Sequence, residues 1–262
     1  SITIKIRKNI TEKTKVIMPV HYAGQPCDME EIMKIAEEHN LEVIEDAAHA
    51  ISAEFNGRKI GTIGKAACFS FHPIKNMTMG EGGIIATDDE AFADQCKLLR
   101  LHGLDRYKMV ALGYKYTIND IQAALGLTQL KKLESFQRRR TEIAERYNNA
   151  FRDIPEISIP IIGERIKSAW HLYVIRLNLD KLKIGRDKFR EALAAENIGT
   201  QIHFIPIHLQ PYYRKTYNNR DYPISTKVYE TMITLPLFPK MNEEDVEEVI
   251  QGIKKIVDYY RK

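Results

Sequence analysis

Cysteine is scarce. Cys27, Cys68 and Cys96 are the only three in 262 residues, an odd set with no C-x-x-C pair. That excludes a disulfide framework and a cysteine zinc site, and points to a reducing, cytoplasmic compartment. Long apolar runs are missing as well, and none approaches the ~18 residues of a membrane-spanning helix. Charge of one sign does not dominate. A net charge of +4 suits an anionic small molecule but gives no concentrated basic face for nucleic acid. There is no internal repeat and no low-complexity segment. The opening "SITIKIRKNITEKTK" lacks the apolar core of a signal peptide. It also starts on Ser rather than Met, and the chain is read as a processed or partial product. What is present, 44% hydrophobic and 28% charged residues, is the composition of a soluble globular protein of one large domain or two smaller ones.

Periodicity predicts the elements. "KVIMPV" (15–20) is a short strand. Asp28 with Glu31 then forms a capping-box pattern ahead of apolar residues at helical spacing. "LEVIE" (41–45) is the next strand and runs out at Asp46, making a strand–helix–strand unit with parallel strands. "AACFSF" (66–71) and "GIIAT" (83–87) are further strands, the second followed by a helix over 89–103. The alternation predicts an α/β class with a sheet covered on both faces. From 118 to 151 the helical pattern is nearly continuous, with Gly126 its only interior breaker. Beyond it come a strand over 171–178, a helix over 185–199, a strand over 200–204 and a last helix over 242–260. That second half reads as a smaller α+β domain tethered by the long helix.

In open α/β sheets, ligands bind at the carboxyl ends of the strands. Two groups fall there: Asp46 and His49 in "EDAAHA", and Ser70 and Lys75 in "SFHPIKNMTMGEGG". Chemistry that pairs an Asp with a Lys is that of pyridoxal phosphate (PLP). The lysine forms a Schiff base and the carboxylate keeps the pyridine nitrogen protonated. The released amine can then move the substrate Cα proton, and a hydroxyl such as Ser70 can help hold the phosphate. Apolar neighbours of Lys75 would desolvate it, lowering its pKa and raising its nucleophilicity. Each residue also has a plainer reading: a solvated lysine, a helix-capping Asp, a core histidine and a tight glycine turn. "GTIGKAA" lacks the Ser or Thr of a P-loop, and "QRRRTEIAER" reads as the wet face of a helix. His203 and His208 in "HFIPIH" lack the Cys or carboxylate cluster of a metal site. No metal is expected.

"EDAAHA", "FSFHPIKN", "GEGGIIATDD", "GYKYTINDIQAALGLTQL" and "LPLFP" follow one another in an order that resembles the DegT/DnrJ/EryC1/StrS family. Its members are PLP-dependent nucleotide-sugar aminotransferases of the aspartate aminotransferase fold (PLP fold type I). The resemblance runs from "TKVIMPVHYAG" to the last helix. "AAHA", "FHPIKN" and "AWHLY" resemble most closely the branch that aminates C4 of UDP-linked 4-keto sugars, as in the 4-amino-4-deoxy-L-arabinose and pseudaminic acid pathways. The resemblance implies that Lys75 is the Schiff-base lysine, Asp46 the partner of the pyridine nitrogen, and Ser70 a phosphate ligand. It places His49 against the cofactor ring and its 3′-oxygen. Lys115 stands where many relatives have an Asn reaching the phosphate across the dimer, and His203 and His208 lie in the segment that approaches the sugar. Relatives that dehydrate sugars at C3 carry His in place of the lysine, so aminotransfer is implied here.

The same resemblance implies a homodimer, a nucleotide-sugar substrate, glutamate as amino donor and a role in cell-surface polysaccharide synthesis. It divides the chain into a PLP-binding large domain over 1–130, here incomplete, and a C-terminal small domain over 131–262. Family members carry roughly a hundred further residues before "KTKVIMPV", and "HGLDRYKMVALGYKY" is shorter than the corresponding loop in most relatives. Two rivals stand beside this reading: an aminotransferase on a 3-keto dTDP-sugar, and a homologue with a regulatory or structural role.

Overall fold

The computed structural model describes residues 2–216 and 222–262. It forms two compact units, Ser1–Gln137 with Ile162–His171, and Arg138–Ile161 with Leu172–Lys262. The chain runs α1 (Ile2–Asn9), β1 (Val16–Ile17), α2 (Met29–Glu38), β2 (Glu42–Asp46), β3 (Glu54–Phe55), β4 (Arg58–Lys59), β5 (Ala66–Ser70) and β6 (Gly83–Ala86). It continues through α3 (Glu90–Arg100), β7 (Leu104–Asp105), β8 (Lys108–Met109), α4 (Asp120–Leu130), α5 (Leu133–Phe151), β9 (Ile157–Ser158) and β10 (Ile166–Lys167). It closes with β11 (Tyr173–Leu177), α6 (Arg186–Ala195), α7 (Pro223–Thr231), β12 (Met232–Leu235) and α8 (Glu243–Tyr260). Among the described residues, no helix is long and apolar enough to cross a membrane.

The first unit is built on a four-stranded sheet in the order β1-β2-β5-β6. Asp28 caps α2 by accepting the Glu31 N–H at 3.4 Å, and the helix buries Met29, Ile32, Ile35 and Ala36. It forms the crossover between parallel β1 and β2, as expected for a strand–helix–strand unit. β2 and β5 are also parallel, with Asp46 opposite Cys68, so both strands end toward one edge of the sheet. The buried face of α2 packs with Val43, Ala47, Phe55, Ile60 and Ala67 into one apolar cluster. β6 returns antiparallel to β5, a direction the alternation pattern had not distinguished. The link between them holds the lysine loop and no crossover helix, so the chain can only double back. Ile84 and Ile85 stay exposed, which departs from the expectation of a sheet covered on both faces.

The continuous helix expected over 118–151 is two helices, α4 and α5, parted at Lys131 and Lys132. No Gly or Pro marks the break, and Lys132 turns its N–H back to Gln129 O at 2.9 Å. Gly126, the expected breaker, lies inside α4, where a Cβ would stand 3.4 Å from the Met79 side chain. The second unit carries an antiparallel sheet in the order β12-β11-β9. Its core joins Ile143, Tyr147 and Phe151 of α5, Phe189 and Leu193 of α6, and Val246, Val249, Ile250, Ile253 and Val257 of α8. Asn242 and Asp245 close a reciprocal capping box at the start of α8, each bond 2.8 Å. The strand expected over 200–204 is reduced to a bridge between Gln201 and Thr234. The chain then leaves the sheet toward Pro206, which has no N–H to extend a ladder.

Candidate active site

The site is assembled just past the ends of β2 and β5. Side chains alternate along a strand, so Glu45 points away from the side that Asp46 serves and is fully buried. His21 Nδ1 accepts the Cys27 N–H at 3.0 Å, which leaves its Nε2–H to donate to Glu45 Oε2 at 3.1 Å. The N–H groups of Gly61, Ile63 and Gly64 also donate to this carboxylate, at 3.3, 3.1 and 2.9 Å. Burial alone would push the Glu45 carboxyl up; the His21 ring and the three amides outweigh it and hold the group below its usual value. This anchor fixes the end of β2. Asp46 follows it, half-buried, with Oδ1 accepting the Ala48 N–H at 3.1 Å.

Lys75 sits in the loop that joins β5 to β6. Phe71 N–H donates to Gly82 O at 2.8 Å, Met79 N–H to Phe71 O at 3.0 Å, and Lys75 N–H to His72 O at 2.9 Å. Phe71, Met77 and Met79 pack together beneath the loop. The Lys75 ammonium is half-buried and makes no hydrogen bond or ion pair among the described residues. Burial pulls its pKa below the ordinary lysine value, with the Asp46 carboxylate opposing; the two charges are therefore within electrostatic reach. Ser70 ends β5 opposite Gly83, and its Oγ lies 3.4 Å from the His72 N–H.

His49 is tied to the same group. Its Nδ1 accepts the Ala23 N–H at 3.3 Å, and its ring lies 4.2 Å from that of His171. Asn76, next in the chain to Lys75, contacts His171 Nδ1 at 3.0 Å and the Ala169 carbonyl at 2.6 Å. His49 is thus linked to the lysine loop through the His171 ring and Asn76, while Asp46 acts on Lys75 through its charge. Asn76 and His171 were not singled out from the sequence. Both lie in quoted motifs, but nothing in the sequence alone pairs position 76 with position 171.

Lys115 does not join this group. It is exposed, its backbone bridging to Leu101, and its side chain makes no hydrogen bond or ion pair among the described residues. His203 and His208 belong to the second unit. His203 Nδ1 lies 2.8 Å from the Thr234 hydroxyl, and buried His208 lies 3.0 Å from that of Thr226 with its ring 4.9 Å from Tyr222. Among the described residues, no group of three or more His, Cys, Asp or Glu is placed to hold a metal.

PLP requires an amine, a carboxylate for its ring nitrogen and polar groups for its phosphate. A half-buried amine without a bonding partner, a carboxylate that acts on it electrostatically and a strand-end hydroxyl fit that demand.

A model of the DegT/DnrJ/EryC1/StrS aminotransferase family matches residues 3–254. Among curated proteins, the chain is 50% identical over 272 residues to protein MJ1066 of Methanocaldococcus jannaschii, a match spanning 98% of this chain and 70% of that one. It is 43% identical over 270 residues to the spore coat polysaccharide biosynthesis protein SpsC of Bacillus subtilis, spanning 97% and 69%. Among solved structures it is similar to Helicobacter pylori PseC, an aminotransferase involved in pseudoaminic acid biosynthesis, with a TM-score of 0.92, 31% identity and coverage of 98% and 71%. It is also similar to Spr1654 of Streptococcus pneumoniae in its PMP form, with a TM-score of 0.92, 30% identity and the same coverage.

Proposed function

The chain belongs to the DegT/DnrJ/EryC1/StrS aminotransferase family of PLP-dependent sugar aminotransferases, and from that premise we propose that it moves an amino group from glutamate to the C4 keto carbon of a UDP-linked sugar. The cofactor is PLP, which when bound supplies an electron-accepting ring that allows exchange of an amino group at a carbon. The observation that carries the reading is the unpartnered, half-buried Lys75 amine within reach of Asp46. Asp46 would hold a proton at the ring nitrogen, and Ser70 would bond a phosphate oxygen. Lys75, its pKa lowered by burial, has more free amine at neutral pH than a surface lysine, and would take the proton from the substrate carbon and return it.

His49 is proposed to face the cofactor ring, Lys115 the phosphate, and His203 and His208 the sugar nucleotide. Residues 1–130 are proposed as the PLP-binding part and residues 131–262 as the C-terminal small domain. A role in cell-surface polysaccharide synthesis is supported by the similarity to SpsC and PseC, and a cytoplasmic setting by three free cysteines. The test is to incubate the protein with PLP, glutamate and a panel of UDP-4-keto and dTDP-3-keto sugars, with mass analysis of the products. Amination confined to the UDP-4-keto sugars, and lost in Lys75→Ala, is expected. Amination of only the 3-keto sugars would replace the substrate, and no amination of any would sink the activity.

A further inference from the structure

The neighbours of His49 decide which of its nitrogens carries the proton. The Ala23 N–H is aimed at Nδ1 at 3.3 Å. A donor there requires a lone pair, so the proton of neutral His49 is on Nε2. His171, whose ring centroid is 4.2 Å from that of His49 with 41° between the planes, is set the other way. Asn76 Nδ2 donates to the Ala169 carbonyl at 2.6 Å, which turns Asn76 Oδ1 toward His171 Nδ1 at 3.0 Å. An amide oxygen only accepts, so the proton of His171 is on Nδ1.

The segment that carries His171 also fixes the donor to His49. His171 N–H donates to Ala23 O at 3.0 Å and Ala169 N–H to Gly24 O at 2.8 Å, holding Ala23 at a left-handed φ of 59°. The two stretches are in direct backbone contact: a Cβ on Gly24 would lie 2.9 Å from His171 N and 3.0 Å from Trp170 N. Asn76 and His171 are both buried, where a broken hydrogen bond leaves a stranded polar group at full desolvation cost. The arrangement therefore has little freedom to rotate either ring.

We propose that Asn76 and His171 are positioning residues for the reaction at Lys75, holding His49 in its Nε2–H tautomer with its plane fixed. Asn76 follows Lys75 directly in the chain, so the loop that places the amine also locks His171, and the 169–171 segment places both the ring face and the Ala23 donor of His49. The role rests on the proposed PLP reading of the site; the tautomers do not.

The test begins with wild-type protein labelled with ¹⁵N-histidine, without added cofactor, in long-range ¹H–¹⁵N spectra that separate protonated from lone-pair ring nitrogens. His49→Gln and His171→Gln assign the two rings. The expected pattern is Nε2–H for His49 and Nδ1–H for His171; Nδ1–H at His49, or averaging between tautomers in both rings, overturns the proposal. Asn76→Leu removes both amide bonds at similar size. It should shift His49 and His171 toward averaged tautomers and lower kcat about tenfold with KM nearly unchanged, whereas Asn76→Gln should recover part of each. Unmoved His49 signals in a folded Asn76→Leu protein would show that the two residues only pack beside it. Should wild-type protein show no cofactor absorbance with PLP and no borohydride-fixed label on Lys75, the site reading fails and the positioning role with it. The tautomer pattern would still report separately on the hydrogen-bond geometry.

Discussion

An amine kept half out of water without a bonding partner works against the folded state, and Lys75 is such a group. Its pKa is lowered on folding, so the protonated lysine favours the unfolded chain. The penalty is full below the folded value, fades as pH rises from there to the ordinary lysine value, and is gone above it. Lys75→Met is therefore expected to abolish amino transfer while raising the melting temperature at neutral pH, with the gap narrowing in alkaline buffer. A lower melting temperature for the variant would remove the idea of strain kept for chemistry. Glu45 behaves in the opposite sense. Its pKa is lowered on folding, so it stabilises above the unfolded carboxyl value of about 4.3, and that contribution is lost as pH falls through the folded value. Glu45→Gln cannot accept from all of His21, Gly61, Ile63 and Gly64, and should cost about 1–3 kcal/mol in denaturant unfolding at pH 7. The deficit should shrink in acid; a constant deficit would mean that the charge is not what matters. Strand-end logic located Asp46, Ser70 and Lys75 from the sequence. It passed over Glu45, which reads there only as the end of an apolar strand, and over His171, whose partners are set by tertiary contact.

Elements were legible where local chemistry and periodicity agree. Asp28 and the apolar residues of α2 announce a start and a buried side together. The break at Lys131 was not legible because no residue there disfavours a helix, and Gly126 misled because a glycine inside a helix also serves close packing. The antiparallel return of β6 depends on the loop between the strands and on nothing inside them. Two substitutions test this scale. Asn242→Ala deletes one half of the α8 capping box and should destabilise the protein by about 1 kcal/mol, read as a shift in denaturant midpoint at unchanged slope. Gly24→Ala is expected to do more. Gly24 has a φ of +91°, and backbone atoms of Trp170 and His171 lie within 3.0 Å of where an alanine methyl would stand. The turn must therefore shift, and a loss of about 1–3 kcal/mol is expected. The same shift would move Ala23, so the Gly24→Ala protein should also show an altered His49 nitrogen spectrum; an unchanged spectrum would separate the turn from the ring.

At the scale of the whole chain, the apolar surface around α4 asks for a partner. On α4, Ile121 and Leu127 are 81% and 64% exposed, Leu125 and Leu130 are exposed as well, and the helix buries only Gly126. A helix that buries almost nothing and exposes several large apolar side chains marks an interaction surface, and a second copy of the chain is the partner that the family reading supplies. The patch is coupled to the lysine loop: Gln122 on α4 donates from Nε2 to the Glu81 carbonyl at 2.9 Å, and Gly126 lies against Met79. Covering α4 would therefore steady the loop that carries Lys75. Sedimentation of the wild-type protein is expected to give a dimer, and Ile121→Glu with Leu127→Glu should give a folded monomer with weaker PLP binding and little amino transfer. A wild-type monomer that binds PLP and transfers an amino group at full rate would show that the surface serves another purpose. A dimer undisturbed by two buried charges would place the interface elsewhere on the chain.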